Sequence, residues 1–174
     1  MTRLPVVDTE NCPAEQQDAL KEWLQDRGQS KPPGALWRML VASPSAMRAA
    51  GKLGAFVRVG TTIDPLLQEI GAFIASEARG FRFEIDIHAH KLEALGANPN
   101  SIRTAADGSP TGLGQGPDAV AALAYAMASQ EYIGDDIINQ ALAVMKVDQF
   151  IELVTVIAYF LMIGDLARVL EPDA

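Results

Sequence analysis

Apolar residues recur every three or four positions along most of this chain, which is the spacing of one face of an α-helix. That pattern predicts helices over about 13–27, 36–41, 45–59, 65–79, 81–95, 99–106, 117–132, 135–144 and 147–170. Local punctuation supports several boundaries. Asn11 can cap the first helix ahead of Pro13, and Pro32-Pro33 marks a break after it. Asp64-Pro65 is a strong start signal, an oxygen acceptor followed by proline at the first helical position. Gly80 forms a short joint, and Gly96 follows the last periodic residue of the next helix. No alternation with the period of a strand is found, and no repeat of solenoid length. The expected fold is all-α, a single-domain antiparallel helical bundle.

Two of these helices break their own apolar stripe. The 65–79 helix puts Glu69 between Leu66 and Phe73. In the 81–95 helix, Phe81, Ile85, His88, Leu92 and Leu95 share a face, and Glu84 lies one turn before His88. An inward carboxylate or imidazole must be paired, protonated or functional. A short joint at Gly80 makes the two helices neighbours, so Glu69, Glu84 and His88 can meet. The chemistry this permits is acid–base work by an imidazole balanced between burial and a carboxylate. The rival reading is a buried ionic cluster that fixes helix register. Glu69, Glu84 and His88 also have the element types of a metal site, but no His-Glu-x-x-His motif is present and no metal is expected. Arg79 and Arg82 flank the joint and could hold a substrate carboxylate, or else pair with Glu77 and Asp86. His90 falls on a face with Arg82, Asp86 and Glu93 and reads as surface, paired with Asp86.

Composition narrows the class. With 174 residues and 49% apolar residues, the chain can bury a sizeable core. A formal net charge of −8 argues against a nucleic-acid partner. Cys12 is the only cysteine, which excludes an internal disulfide and a Cys-x-x-Cys redox pair. The opening Met1-Thr2-Arg3 has no long apolar stretch after it, so no signal peptide is expected. The most apolar run, 153–164, is flanked by Glu152 and Asp165 and is short against the roughly 20 residues of a membrane span. A cytoplasmic protein with no membrane association is the resulting expectation. The segment 107–118 holds four glycines and two prolines and is expected to be a loop; without a Lys-Ser/Thr pair it is no phosphate-binding loop.

The order Asp64-Pro65-Leu-Leu-Gln-Glu69, then Glu84-x3-His88, then Gly96 resembles the carboxymuconolactone decarboxylase and alkylhydroperoxidase D-like superfamily. Arg38-Met39-Leu40, Ser43-Pro44, Leu53-Gly54, Ala94-Leu95-Gly96-Ala97 and the apolar C-terminal helix extend the likeness over roughly 36–166. The resemblance implies one domain over 1–174, with an N-terminal helix and linker at 1–35 and a core at 36–170 of the alkylhydroperoxidase D-like type. Peroxidase-type members carry Cys-x-x-Cys before the histidine; Phe81 and Glu84 stand at those positions here. A non-cysteine member is therefore implied, a lyase of aromatic-compound catabolism working without a cofactor on a small lactone or carboxylic acid. His88 would be the acid, Glu84 would orient it, and Glu69 would complete the network. The resemblance also implies a homo-oligomer, a trimer or hexamer. The alternatives are an antioxidant-type member lacking its cysteine pair, and a non-catalytic helical oligomer whose Glu–His cluster only sets packing.

Overall fold

The computed structural model describes residues 4–31, 33–130 and 132–170. Met1-Thr2-Arg3 and Pro32 lie outside the described residues. Among the described residues the chain is all-α, with no strand. Its helices are α1 (Ala14–Asp26), α2 (Ala35–Leu40), α3 (Pro44–Ala55), α4 (Pro65–Arg79), α5 (Arg82–Ala94), α6 (Pro99–Ile102), α7 (Gln115–Ser129), α8 (Asp135–Val144) and α9 (Val147–Leu170). A π-helical turn, Phe56–Gly60, extends α3, and a 3-10 turn, Arg103–Asp107, extends α6.

The described residues divide into two compact units, one formed by those of 4–60 and 165–170 and the other by those of 61–164. In the first, α1 and α2 pack on α3 around Cys12, Ala19, Leu20, Trp23, Val41 and Met47. Trp23 and Trp37 meet at 5.2 Å, and the Arg27 guanidinium lies over both rings at 4.3 and 4.8 Å. Arg27 also donates to the Gly51 carbonyl at 3.0 Å. Cation–π stacking and that hydrogen bond together let a cation enter an aromatic cluster.

The second unit is built on α4. Eight consecutive residues, Glu69 to Ser76, are buried. A helix buried on all sides must have neighbours all round, and α4 packs on both α5 and α7. Gly71 makes this close: a Cβ there would lie 3.2 Å from Leu153, 3.4 Å from Ile157 and 3.4 Å from Val120. The alanine-rich face of α7 serves the same end, with Ala119, Ala121, Ala124, Ala126 and Ala128 buried. Helix α9 is tied to the start of α4 by polar contacts. Glu152 accepts from the Thr62 amide at 2.7 Å and its hydroxyl at 3.0 Å, and Gln149 donates to the Thr62 carbonyl at 3.0 Å.

Most predicted boundaries agree with the helices to within one or two residues. Two features differ for local reasons. Pro13 rather than Asn11 occupies the cap of α1, and the Asn11 side chain donates to Asp8 instead. Helix α7 starts at Gln115, inside the expected loop, because the Asp118 carboxylate gathers the Thr111 amide, the Thr111 hydroxyl and the Gly112 amide at 2.8, 2.5 and 3.2 Å. The apolar run 153–164 lies, as expected, within the 24-residue α9, which is long and apolar enough to cross a membrane by length and composition alone. Seven of its residues, from Leu153 to Gly164, are nevertheless buried in the fold.

Gly164 is where α9 meets Phe81; a Cβ at this position would clash with the phenylalanine ring. Gly164→Ala is expected to destabilise the protein by about 1–3 kcal/mol from overpacking. That exceeds the roughly 0.5–1 kcal/mol an alanine gains over glycine in a helix. Urea denaturation of the variant checks this, and an unchanged or raised midpoint would show that Phe81 repacks freely.

Candidate functional site

The local sequence fixes where the two site helices begin and how they join. The Asp64 carboxylate accepts from the Leu66 and Leu67 amides at 2.8 and 3.4 Å, satisfying the free donors at the start of α4. At the other end Gly80 takes φ of +67°, and the Phe81 amide donates back to the Ser76 carbonyl at 2.9 Å. Glycine adopts this left-handed conformation without a Cβ penalty, so two residues suffice to start α5. The short joint brings the inward face of α5 against that of α4.

The three ionisable residues that interrupt the apolar stripes are brought together. His88 is fully buried, with Glu84 and Glu69 nearly so. The His88 Nδ1 lies 2.6 Å from Glu69 Oε2. Glu84 Oε2 lies 3.5 Å from His88 Nε2, within ion-pair range but without a hydrogen bond. The orienting contact therefore comes from Glu69, nineteen residues away in sequence, rather than from Glu84 one turn away. Phe160 of α9 makes a T-shaped contact with the imidazole, with centroids 4.3 Å apart. The ring is thus held at Nδ1 by a carboxylate and packed at right angles against an aromatic ring, while Nε2 is buried and makes no hydrogen bond to any described residue.

Lys91 completes the cluster, and the stripe pattern gave no sign of it. It lies three residues after His88 and reaches Glu69 Oε1 at 2.8 Å. Both Glu69 oxygens are thereby engaged. Among the described residues, no group of three or more His, Cys, Asp or Glu side chains is arranged to hold a metal ion. Burial pushes the Glu69 carboxyl up, but the hydrogen bond from His88 and the charges of His88 and Lys91 outweigh it, holding Glu69 below its ordinary value.

The flanking cations are differently placed. Arg79 is half-buried, reaches the Ala128 carbonyl at 3.5 Å and lies over the Phe81 ring at 5.6 Å. Arg82 is exposed in the first turn of α5. Glu77 pairs with Arg103 at 2.6 Å. His90 is at the surface, where its side chain is 83% exposed and lies near Glu93 at 3.4 Å rather than near Asp86. Leu95, expected on the inward stripe, is also exposed, because the helix ends at Ala94 and the chain turns away at Gly96 with φ of +81°.

No protein-family model matches this sequence, and no curated protein matches it. Solved structures do. The debrominase Bmp8 in its apo form matches with a TM-score of 0.74 and 17% sequence identity, over 99% of this chain and 90% of that one. A cysteine-to-alanine variant of Bmp8 in complex with 2,3,4-tribromopyrrole matches with a TM-score of 0.75 and 17% identity, over 99% and 93%. At this identity the likeness is one of helical fold.

The Glu69 geometry has a consequence for stability against acid. A carboxyl whose folded value lies below the ordinary 4.5 stabilises the fold above that pH, and the contribution is lost as pH falls through the folded value. Glu69→Gln is expected to lower stability at neutral pH and to flatten the loss of stability below pH 4.5. Urea midpoints measured across that range test it; an acid limb as steep as that of the unmodified protein would remove Glu69 from the account.

Proposed function

We propose that this chain is a cofactor-independent acid–base enzyme of the carboxymuconolactone decarboxylase and alkylhydroperoxidase D-like superfamily, acting on a small molecule. The observation that carries this reading is the His88 imidazole, held by Glu69 at Nδ1 and buried with Nε2 unbonded and facing Glu84. A buried ring nitrogen without a partner costs stability. An acid or base that must meet a reacting atom needs such a nitrogen. The helical likeness to a debrominase solved with a small halogenated pyrrole supports a small-molecule substrate.

The reaction favoured is decarboxylation of a small unsaturated lactone or carboxylic acid. As carbon dioxide leaves, the electron pair of the broken carbon–carbon bond passes into the conjugated carbonyl as a dienolate. His88 Nε2 then gives a proton to the distal carbon, and solvent restores it. Glu69 holds the ring in place, and Glu84 balances charge at the same nitrogen. Arg79 and Arg82 complete the proposal as holders of the substrate carboxylate. A dithiol peroxidase cycle is not proposed, since Cys12 is the one thiol and is packed in the core of the first unit. The setting proposed is the cytoplasm.

A second proposal concerns assembly. Val147, Ile151, Ala158 and Met162 leave an exposed apolar stripe on α9 at helical spacing. Such a stripe favours a homo-oligomer, a trimer or hexamer, over a monomer.

His88→Ala is expected to lower turnover of a carboxyl-bearing unsaturated lactone by about 100-fold or more, the scale of general acid catalysis, while leaving helical circular dichroism intact. Carbon dioxide release retained in the variant would sink the assignment. Sedimentation velocity is expected to show an assembly that Ile151→Glu shifts to monomer; a monomeric unmodified protein would count against the stripe as an interface.

A further inference from the structure

The two oxygens of Glu69 serve different partners. Oε2 faces His88 Nδ1 at 2.6 Å, and Oε1 faces Lys91 Nζ at 2.8 Å. His88 and Lys91 are three residues apart on α5, so both reach back to one carboxylate on α4. Lys91 is partly exposed, with 35% of its side chain in solvent, while Glu69 is 10% exposed. The lysine thus carries its charge at the edge of the fold and applies it to a carboxylate within.

We propose that Lys91 is a positioning residue: by keeping Glu69 ionised, it holds a proton on His88 Nδ1 and leaves Nε2 as the working nitrogen facing Glu84. An ionised carboxylate only accepts, so Nδ1 must be the donor in the 2.6 Å contact. Remove the lysine charge, and burial of Glu69 is opposed by His88 alone. In the doubly protonated ring from which His88 acts as an acid, the Nδ1 proton then moves to the Glu69 carboxyl, which becomes the donor to Nδ1 of a neutral ring protonated at Nε2. No bond other than the two N–H and O–H bonds changes, and the total proton count of the pair is conserved. Glu84 makes this matter, because it is the acidic group at the opposite nitrogen, 3.5 Å from Nε2. A proton moved off Nδ1 neutralises the ring and makes Nε2 the weaker donor to a substrate placed there.

This inference rests on the reading of His88 as the proposed acid only for its significance; its test reads protons directly and needs no substrate. The chain has two histidines, and the second, His90, is largely exposed and serves as an internal reference. In nitrogen-15 spectra of the histidine-labelled full-length protein at neutral pH, the His88 Nδ1 is expected to give the signal of a protonated nitrogen. Lys91→Met is expected to move it toward the unprotonated type, Lys91→Arg to restore it, and the His90 signals to stay where they are. A purely structural role for Lys91 would lower the melting temperature of the methionine variant and leave the Nδ1 signal unchanged, which overturns the proposal. An unprotonated Nδ1 in the unmodified protein overturns it as well, so the test survives a variant that does not fold. Loss of activity in His88→Ala with an unchanged Nδ1 in Lys91→Met would leave the enzyme reading standing and remove this one.

Discussion

A carboxylate taken out of water must find charge and hydrogen bonds in the fold, and Glu69 is the residue on which that demand falls. It lies at the start of the buried run of α4, where an apolar side chain would pack at lower cost. Its two oxygens are answered by two groups from α5, one imidazole and one ammonium. This places a strict geometric condition on the second unit. Helices α4 and α5 must lie at the one register where His88 and Lys91 both reach Glu69. The Gly80 turn, the Asp64 cap and the small residues of α7 are the local means by which that register is met.

The same condition explains the asymmetry between the two carboxylates near His88. Glu84 is one helical turn from the histidine, and spacing alone makes it the natural partner. Its oxygen nevertheless stops at 3.5 Å from Nε2. Glu69 approaches from the neighbouring helix and engages the ring at its other nitrogen, at 2.6 Å. A partner on a separate element can be aligned with the ring plane by packing, whereas one on the same helix is bound by the fixed offset between turns. Phe160 then packs against the ring from a third element. Three helices therefore set one imidazole, which is the degree of constraint that a precisely directed nitrogen requires.

Much of this was legible in the sequence, and the limits have physical causes. Asp64-Pro65 and Gly80 are residues whose backbone preferences act locally, so the bounds of α4 could be read without knowing its neighbours. The inward positions of Glu69, Glu84 and His88 followed from helical period, because polar residues on an apolar stripe stand out. Lys91 did not stand out. A lysine on an amphipathic helix is ordinary, and only the position of α4 reveals that this one turns inward toward a buried oxygen. The start of α7 was misplaced for a related reason: glycines and prolines announce a loop, but Asp118 organises the loop amides around itself and lets the helix begin early. Arg79 and Arg82 were singled out by proximity in sequence to the motif helix, a criterion that says nothing of depth. One is half-buried beside Phe81 and the other is exposed.

The clamp between Thr62 and Glu152 carries a consequence for the order in which the molecule assembles. Its partners are 90 residues apart, so closing it costs far more chain entropy than joining α4 to α5 across two residues. The helical hairpin of α4 and α5 can form early and bring Glu69 to His88 on its own. Helix α9 docks only after α6, α7 and α8 have been laid down, and with it comes the ring of Phe160. A chain still emerging from the ribosome would therefore hold the carboxylate–imidazole pair with the side of the imidazole that Phe160 covers open to water. Of the three helices that set the ring, α9 is the last to be made, and it is the one that dries the site.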